Sequence, residues 1–258
     1  MKNWKKIIAF VCLVGALFAL AGCGQEKDAA TEQGQKKFLI ATDTTFAPFE
    51  FEDASGKFVG IDMELFEAIA KDQGFAYEVR PLGFNAAVQA LEAQQVDGVI
   101  AGMSITDERK QKFDFSEPYF DSGVVMGIAA DNNEIKSYDD LKGKKVAIKT
   151  GTEGADFAES IKGKYGFTTV VFEDSANLYE DVKAGNSAAC FEDYPVLGYA
   201  ITQNVGLKIV TEKEHGSSYG FAVNKGKNKE LLEMFNKGLA NLKANGKYQE
   251  ILDKYIKE

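Results

Sequence analysis

Histidine and cysteine are scarce in this chain: His215 is the single histidine, and Cys12, Cys23 and Cys190 are the three cysteines among 258 residues. That supply is too small for a zinc site built from His and Cys, or for a Ser-His-Asp triad with any choice of parts. Metalloenzymes and hydrolases of those types are largely excluded, and neither a metal nor a cofactor is expected. Positive charge is the minority: 30 Lys plus Arg stand against 39 Asp plus Glu, a net −9 that becomes −12 if Lys2, Lys5 and Lys6 leave with a cleaved leader. A negative field of that kind disfavours nucleic acid as a partner. Gly-rich or Pro-rich linkers are missing from Phe38 onward, and no internal repeat is evident. What is present is 45% hydrophobic and 27% charged, enough chain and enough apolar side chain for one or two domains with a real core.

The N-terminus carries three lysines up to Lys6, then 15 apolar residues from Ile7 to Ala21, ending in Leu20-Ala21-Gly22-Cys23. A membrane span needs roughly 20 apolar residues, so residues 1–22 read as a secretory leader removed from the mature fold. The Leu-Ala-Gly-Cys ending resembles the lipobox of bacterial lipoproteins, in which the cysteine becomes the lipid-modified first residue. This implies lipidation at Cys23 and a lipid-anchored, extracytoplasmic location at the cell membrane. Residues 23–36 have almost nothing to bury and read as a tether. Cys12 leaves with the leader and Cys23 carries the lipid, which makes Cys190, inside an apolar stretch, a buried thiol without a disulfide partner.

From Phe38 onward short apolar runs alternate with helical periodicity. Phe38–Ala41, Tyr77–Pro81 and Gly98–Ala101 read as strands. Asp62–Lys71, with Asp62 as N-cap and Gly74 as stop, Asn85–Ala93 and the start at Thr106–Lys112 read as helices. A second block runs through strands Val124–Ala129, Lys145–Lys149, Thr168–Val171 and Ala188–Phe191. Its helices are Ser137–Leu141, one beginning at Gly154, Ser175–Ala184 and Pro195–Gln203. Strands Lys208–Thr211 and Tyr219–Val223 and helices Asn228–Ala244 and Tyr248–Ile256 complete the chain. Such alternation predicts an α/β fold with mostly parallel sheets.

Three segments concentrate groups suited to a small zwitterion at strand-to-helix positions, where ligands sit in open α/β sheets. In Ala101-Gly-Met-Ser-Ile-Thr-Asp-Glu-Arg109, Thr106 caps a helix start, but Arg109 opposes the helix dipole. A gripped carboxylate explains that arginine, and a surface pair with Asp107 or Glu108 is the plainer alternative. Lys149-Thr-Gly-Thr-Glu-Gly154 offers free N–H groups to an anion without the spacing of a nucleotide loop, or else is a tight turn with a solvated lysine. In Phe191-Glu-Asp-Tyr-Pro195, either carboxylate caps the following helix or one of them meets a ligand ammonium. Asp43, Phe46 and Phe84 add a carboxylate and two rings at strand-to-loop positions.

Taken together, ATDTTFAPFEF (41–51), GIDMELFEAIAK, AGMSITDERK (101–110), KTGTEG (149–154) and the final ANGKYQEIL resemble the periplasmic-type polar amino-acid-binding proteins of ABC importers, most closely the glutamine-binding branch. The resemblance covers essentially everything after the tether. It implies a two-lobed clamp whose lobes, 37–121 with 220–258 and 122–219, are joined by two crossing hinge strands near Tyr119–Gly123 and Ser217–Gly220. It further implies a monomer that closes over its ligand without catalysis and presents it to membrane permease subunits. By the same resemblance, Arg109 would take the α-carboxylate with the Ser104 hydroxyl and N–H and the Glu153 backbone N–H. Asp193 and the Gly102 carbonyl would meet the α-ammonium, and Phe46 and Phe84 would flank the aliphatic stem. Asp43 and Lys149 would bracket a side-chain amide, one accepting from its NH2 and the other donating to its C=O.

Charge then selects the side chain. Asp43 and Lys149 cancel, which suits neutral glutamine and leaves glutamate with an unbalanced charge that is costly once desolvated. Glu192 departs from the glutamine-branch pattern: pointing inward, it would make this end of the site net negative and open it to arginine or lysine. A dehydratase-like enzyme on the same fold is the reading from another class, with Glu192 as its acid.

Overall fold

A computed structural model describes residues 37–256. The leader, Cys23 and the tether lie outside the described residues. The chain enters on β1 (Lys37–Thr42), makes a small antiparallel sheet from β2 (Thr45–Phe46), β3 (Glu50–Glu52) and β4 (Phe58–Val59), and turns into α1 (Ile61–Gln73). Then follow β5 (Ala76–Pro81), α2 (Phe84–Glu92), β6 (Gly98–Val99), α3 (Arg109–Lys112) and β7 (Phe113–Phe115). Strand β8 (Phe120–Ala129) opens the second half. A 3-10 turn (Tyr138–Leu141) leads to β9 (Lys145–Lys149), α4 (Glu153–Tyr165), β10 (Thr168–Phe172), α5 (Ser175–Lys183), β11 (Ala189–Asp193) and α6 (Tyr194–Thr202). After β12 (Leu207–Ile209), β13 (Glu214–Tyr219) and β14 (Ala222–Asn224), the described chain closes on α7 (Lys229–Ala244) and α8 (Lys247–Tyr255).

Besides the small β2-β3-β4 sheet these elements build two larger ones, as the α/β clamp expectation requires. One has the order β5-β1-β6-β14-β7, the other β10-β9-β11-β8-β12 with β13 also on β8. Each is parallel only through its first three strands; β14, β7, β8, β12 and β13 run antiparallel, so the sheets are mixed rather than mostly parallel. Among these, β8 enters the second sheet from the first and β13 leads back to it. β8 and β13 pair with Tyr219 opposite Phe120 and Ser218 opposite Asp121, which brings the two segments assigned to the crossings side by side. Separate apolar clusters back the two sheets. Phe66, Phe221, Phe235 and Leu239 pack between the first sheet and α1 and α7, and Met126, Val146, Phe157 and Phe191 pack under the second.

Helix α1 differs from its expected start. It begins at Ile61, and Gly60 occupies the capping position with φ 136°, because a Cβ there would stand 2.0 Å from the Phe49 carbonyl oxygen. Asp62 therefore sits inside the first turn, completely buried, with its carboxylate turned away from helix capping. The stop behaves as expected: Gly74 takes the left-handed conformation and donates its N–H to the Ala70 carbonyl at 2.8 Å. The small β2-β3-β4 sheet and β7 have no counterpart in the expected elements, and β13 answers only to the crossing strand expected near Ser217–Gly220.

Candidate functional site

Arg109 opens α3, and Thr106 secures that turn: its Oγ1 accepts the Arg109 N–H at 3.2 Å and its carbonyl the Lys110 N–H at 3.0 Å. The guanidinium leaves the helix for the cleft between the sheets. Nη1 donates to the Ser104 carbonyl and Nη2 to the Gly151 carbonyl, each at 2.9 Å, with Phe84 beneath it at 5.3 Å from the ring centroid. Asp107, the plain surface partner, pairs with Lys110 instead at 3.2 Å. Burial pushes the Arg109 pKa down, and the carboxylates of Asp193, Glu153, Asp156 and Glu108 oppose that shift.

Opposite Arg109, Thr152 caps α4 by accepting the Ala155 N–H at 3.2 Å, which leaves the first N–H groups of the helix, beginning at Glu153, facing the cleft. Asp193 ends β11 and makes no side-chain cap on α6, contrary to the plainer alternative for that residue. Its Oδ2 accepts the Tyr219 hydroxyl at 2.6 Å, and Ser122 donates to that tyrosine oxygen at 3.1 Å. Burial, then the neighbouring Glu192, raise the Asp193 carboxyl to about 7 against the lowering effect of the Tyr219 hydrogen bond. Phe46, Phe84, Gly102, Ser104, Arg109, Thr152, Glu153 and Asp193 line one small cavity of about 10 Å³. Gly102 is needed there, since at φ 51° a Cβ would lie 2.4 Å from the Phe46 ring.

Lys149 and Asp43 lie deeper. The Lys149 ammonium, at the end of β9, contacts the Asp43 carboxylate that follows β1, and both side chains are 1% exposed. Lys149 also donates to Ser175 Oγ at 3.3 Å and stands 4.9 Å from the Phe46 ring centroid. Glu192, whose direction the sequence left open, is buried outside the cavity wall. It accepts from Ser175 Oγ at 3.0 Å, the Tyr179 hydroxyl at 3.2 Å and the Asp193 N–H at 3.0 Å. Burial raises its pKa, and Lys149 and these donors pull it back.

All ten candidate residues thus fall in or against one region. Seven line the cavity, Asp43 and Lys149 pair behind it, and Glu192 reaches Lys149 only through the shared Ser175 hydroxyl. Sequence reasoning missed Thr152, although it lies inside the KTGTEG motif and is a natural cap. It also missed Tyr219 and Ser175, which carry no motif and are brought in by β13 and by the start of α5. Among the described residues no group of three or more His, Cys, Asp or Glu side chains is arranged to hold a metal ion. Cys190 is fully buried and without a disulfide.

The model of the bacterial extracellular solute-binding proteins, family 3, matches residues 38–258. The chain belongs to this family. The arginine-binding extracellular protein ArtP of Bacillus subtilis is 31% identical over 257 residues, covering 99% of this solute-binding protein and 98% of the relative. A solved ancestral arginine-binding protein bound to glutamine is 40% identical with a TM-score of 0.79, over 86% of this chain and 98% of that one. Substrate-binding domain 2 of Lactococcus lactis GlnP, in an open conformation, is 43% identical with a TM-score of 0.61, over 87% and 97%. The fold is therefore the two-lobed clamp, and among the described residues no helix is long and apolar enough to cross a membrane.

Proposed function

We propose that this solute-binding protein captures glutamine by clamp closure and hands it to the membrane subunits of an ABC importer, without catalysis. The observation that carries the reading is the Lys149–Asp43 contact. One buried ammonium and one buried carboxylate, each from a different sheet, stand where a side chain reaching past Phe46 would end. An amide replaces that contact on both sides at once, giving Lys149 a carbonyl and Asp43 an NH2. A carboxylate would leave Asp43 facing like charge, and an arginine side chain would bring a second cation to Lys149. Glu192 is bonded to three donors of its own and its side chain does not line the cavity.

The zwitterionic end is served by Arg109 with Ser104 and the start of α4, and by Asp193 with the Gly102 carbonyl. These contacts come from both sheets, which is what a ligand needs in order to favour the closed state over the open one. In this reading the moving bodies are 37–121 with 220–258 and 122–219, turning about the paired β8 and β13. The mature protein is a monomer anchored through lipid on Cys23 by the 23–36 tether. A basic amino acid is the second reading, favoured by the arginine named for ArtP and by the proximity of Glu192 to Lys149.

A thermal-shift screen against the twenty amino acids tests the choice. A ligand at a hundred times its Kd stabilises the fold by about 2.7 kcal/mol, so glutamine is expected to give the largest rise in Tm. A larger rise with arginine would move the assignment to the basic reading, and no rise with any amino acid would contradict both.

A further inference from the structure

Behind Gly102 two carboxyls face each other with no cation between them. Glu50 on β3 and Asp62 in the first turn of α1 are both 0% exposed. Asp62 Oδ2 is doubly occupied, accepting the Gly102 N–H and the Tyr119 hydroxyl at 2.8 Å each. Asp62 Oδ1 and both Glu50 oxygens are buried and have no such donor. Of the charged groups around Glu50, Asp62 and Asp43 repel a second negative charge and only Lys149, already in contact with Asp43, attracts it. Facing Asp62 are Glu50 and the neutral Tyr119. Ionised together, they would leave Asp62 Oδ1 and both Glu50 oxygens without a donor; one proton between the two groups gives Asp62 Oδ1 its donor and removes one of the two facing charges.

We propose that Glu50 and Asp62 share a single proton, Glu50 O–H donating to Asp62 Oδ1, and that this acid pair is a positioning device that fixes Gly102 in the ligand cavity and ties it to the crossing strand through Tyr119. The chain of contacts is continuous. The proton holds Asp62, Asp62 holds the N–H of Gly102 in the cavity lining, and the same Asp62 oxygen holds Tyr119, whose N–H bonds to the Tyr219 carbonyl where the crossing strands meet. The pair also keeps only one negative charge beside the Asp43–Lys149 contact. Burial and the carboxylate neighbours push the Glu50 pKa well above the ordinary carboxylate range, and burial raises Asp62 to about 6, in keeping with one shared proton near neutrality. The device does not depend on which amino acid is bound.

The test compares wild type, Glu50→Gln and Glu50→Ala in the full-length protein. The glutamine side chain offers an N–H where the O–H stood. Infrared difference spectra of wild type minus Glu50→Gln at pH 8 are expected to show a protonated carboxylic-acid carbonyl stretch. Its absence would overturn the proposal. Titrated with glutamine, Glu50→Gln is expected within about threefold of wild type, and Glu50→Ala to bind about tenfold or more weakly, the effect of a buried acceptor losing its donor. Equal losses in both variants would contradict the positioning role. The fall of Tm between pH 7 and 9 should be shallower in Glu50→Gln than in wild type, and an unchanged slope would also overturn it. The spectrum and the Tm slope need no ligand, so failure of the glutamine assignment remains distinguishable from failure of the pair.

Discussion

Arg109 and Lys149 are both cations in the cleft, and their substitutions should separate by ligand. In the proposed reading Arg109→Ala removes the donor for the α-carboxylate that every amino acid carries, so binding of all of them should fall by about 2–5 kcal/mol, the usual loss for one half of a buried charge pair. Near-normal glutamine affinity in that variant, read by calorimetry, would remove the carboxylate role. Lys149→Ala should weaken glutamine selectively while leaving shorter neutral amino acids at their wild-type level. The other end of the ligand depends on pH. With Asp193 raised to about 7, its carboxyl is increasingly protonated below that pH in the free protein. A ligand ammonium that needs the ionised form must displace that proton, so affinity is expected to fall by about tenfold for each pH unit below 7. A flat profile between pH 7.5 and 5.5 would contradict the pairing of Asp193 with the ammonium.

Helix α7 tests how far the fold can be weakened without touching the cavity. Phe235 is fully buried on it and stacks on Phe221 with ring centroids 4.8 Å apart. Phe235→Ala should cost about 3–5 kcal/mol in urea unfolding, with glutamine affinity changed by less than about twofold (~0.4 kcal/mol), because its ring packs on Phe66, Phe221 and Tyr119, none of which lines the cavity, and the Tyr119 hydroxyl stays held by Asp62. A large loss of affinity at full folding would show that the core cluster reaches the site. The long helices and their buried faces were legible in the sequence because Leu231, Phe235, Leu239 and Leu242 recur at helical spacing. The β2-β3-β4 sheet was not, since strands of two or three residues carry no period. Strand β13, Glu-His-Gly-Ser-Ser-Tyr, is mostly polar and became a strand only by pairing with β8. The same holds within the site. Arg109, Asp193 and the KTGTEG turn lie in recognisable strings. Asp62, by contrast, reads as a helix cap until Gly60 takes that place, and Tyr219 meets Asp193 only through the antiparallel crossing of β8 and β13. Local spacing thus revealed what each element contributes and concealed what two distant elements share.

At the scale of the molecule, protons stabilise the fold and oppose the ligand. Burial raises Glu50, Asp62, Glu192 and Asp193 above their ordinary values, so between those ordinary values and the raised ones the folded protein binds more protons than the unfolded chain. Stability contributed by these groups is therefore present at low pH and lost as pH rises through the folded values. The Tm of the free protein should rise as pH is lowered from 8 toward 5 while glutamine affinity falls over the same range. Parallel changes in the two would show that other carboxylates dominate. The central claim is that a neutral bracket of Asp43 and Lys149 selects an amide. The most direct measurement is calorimetric titration of the unfolded and refolded protein with glutamine, glutamate and arginine. The account predicts tight binding of glutamine with both others far weaker; a preference for arginine would contradict it.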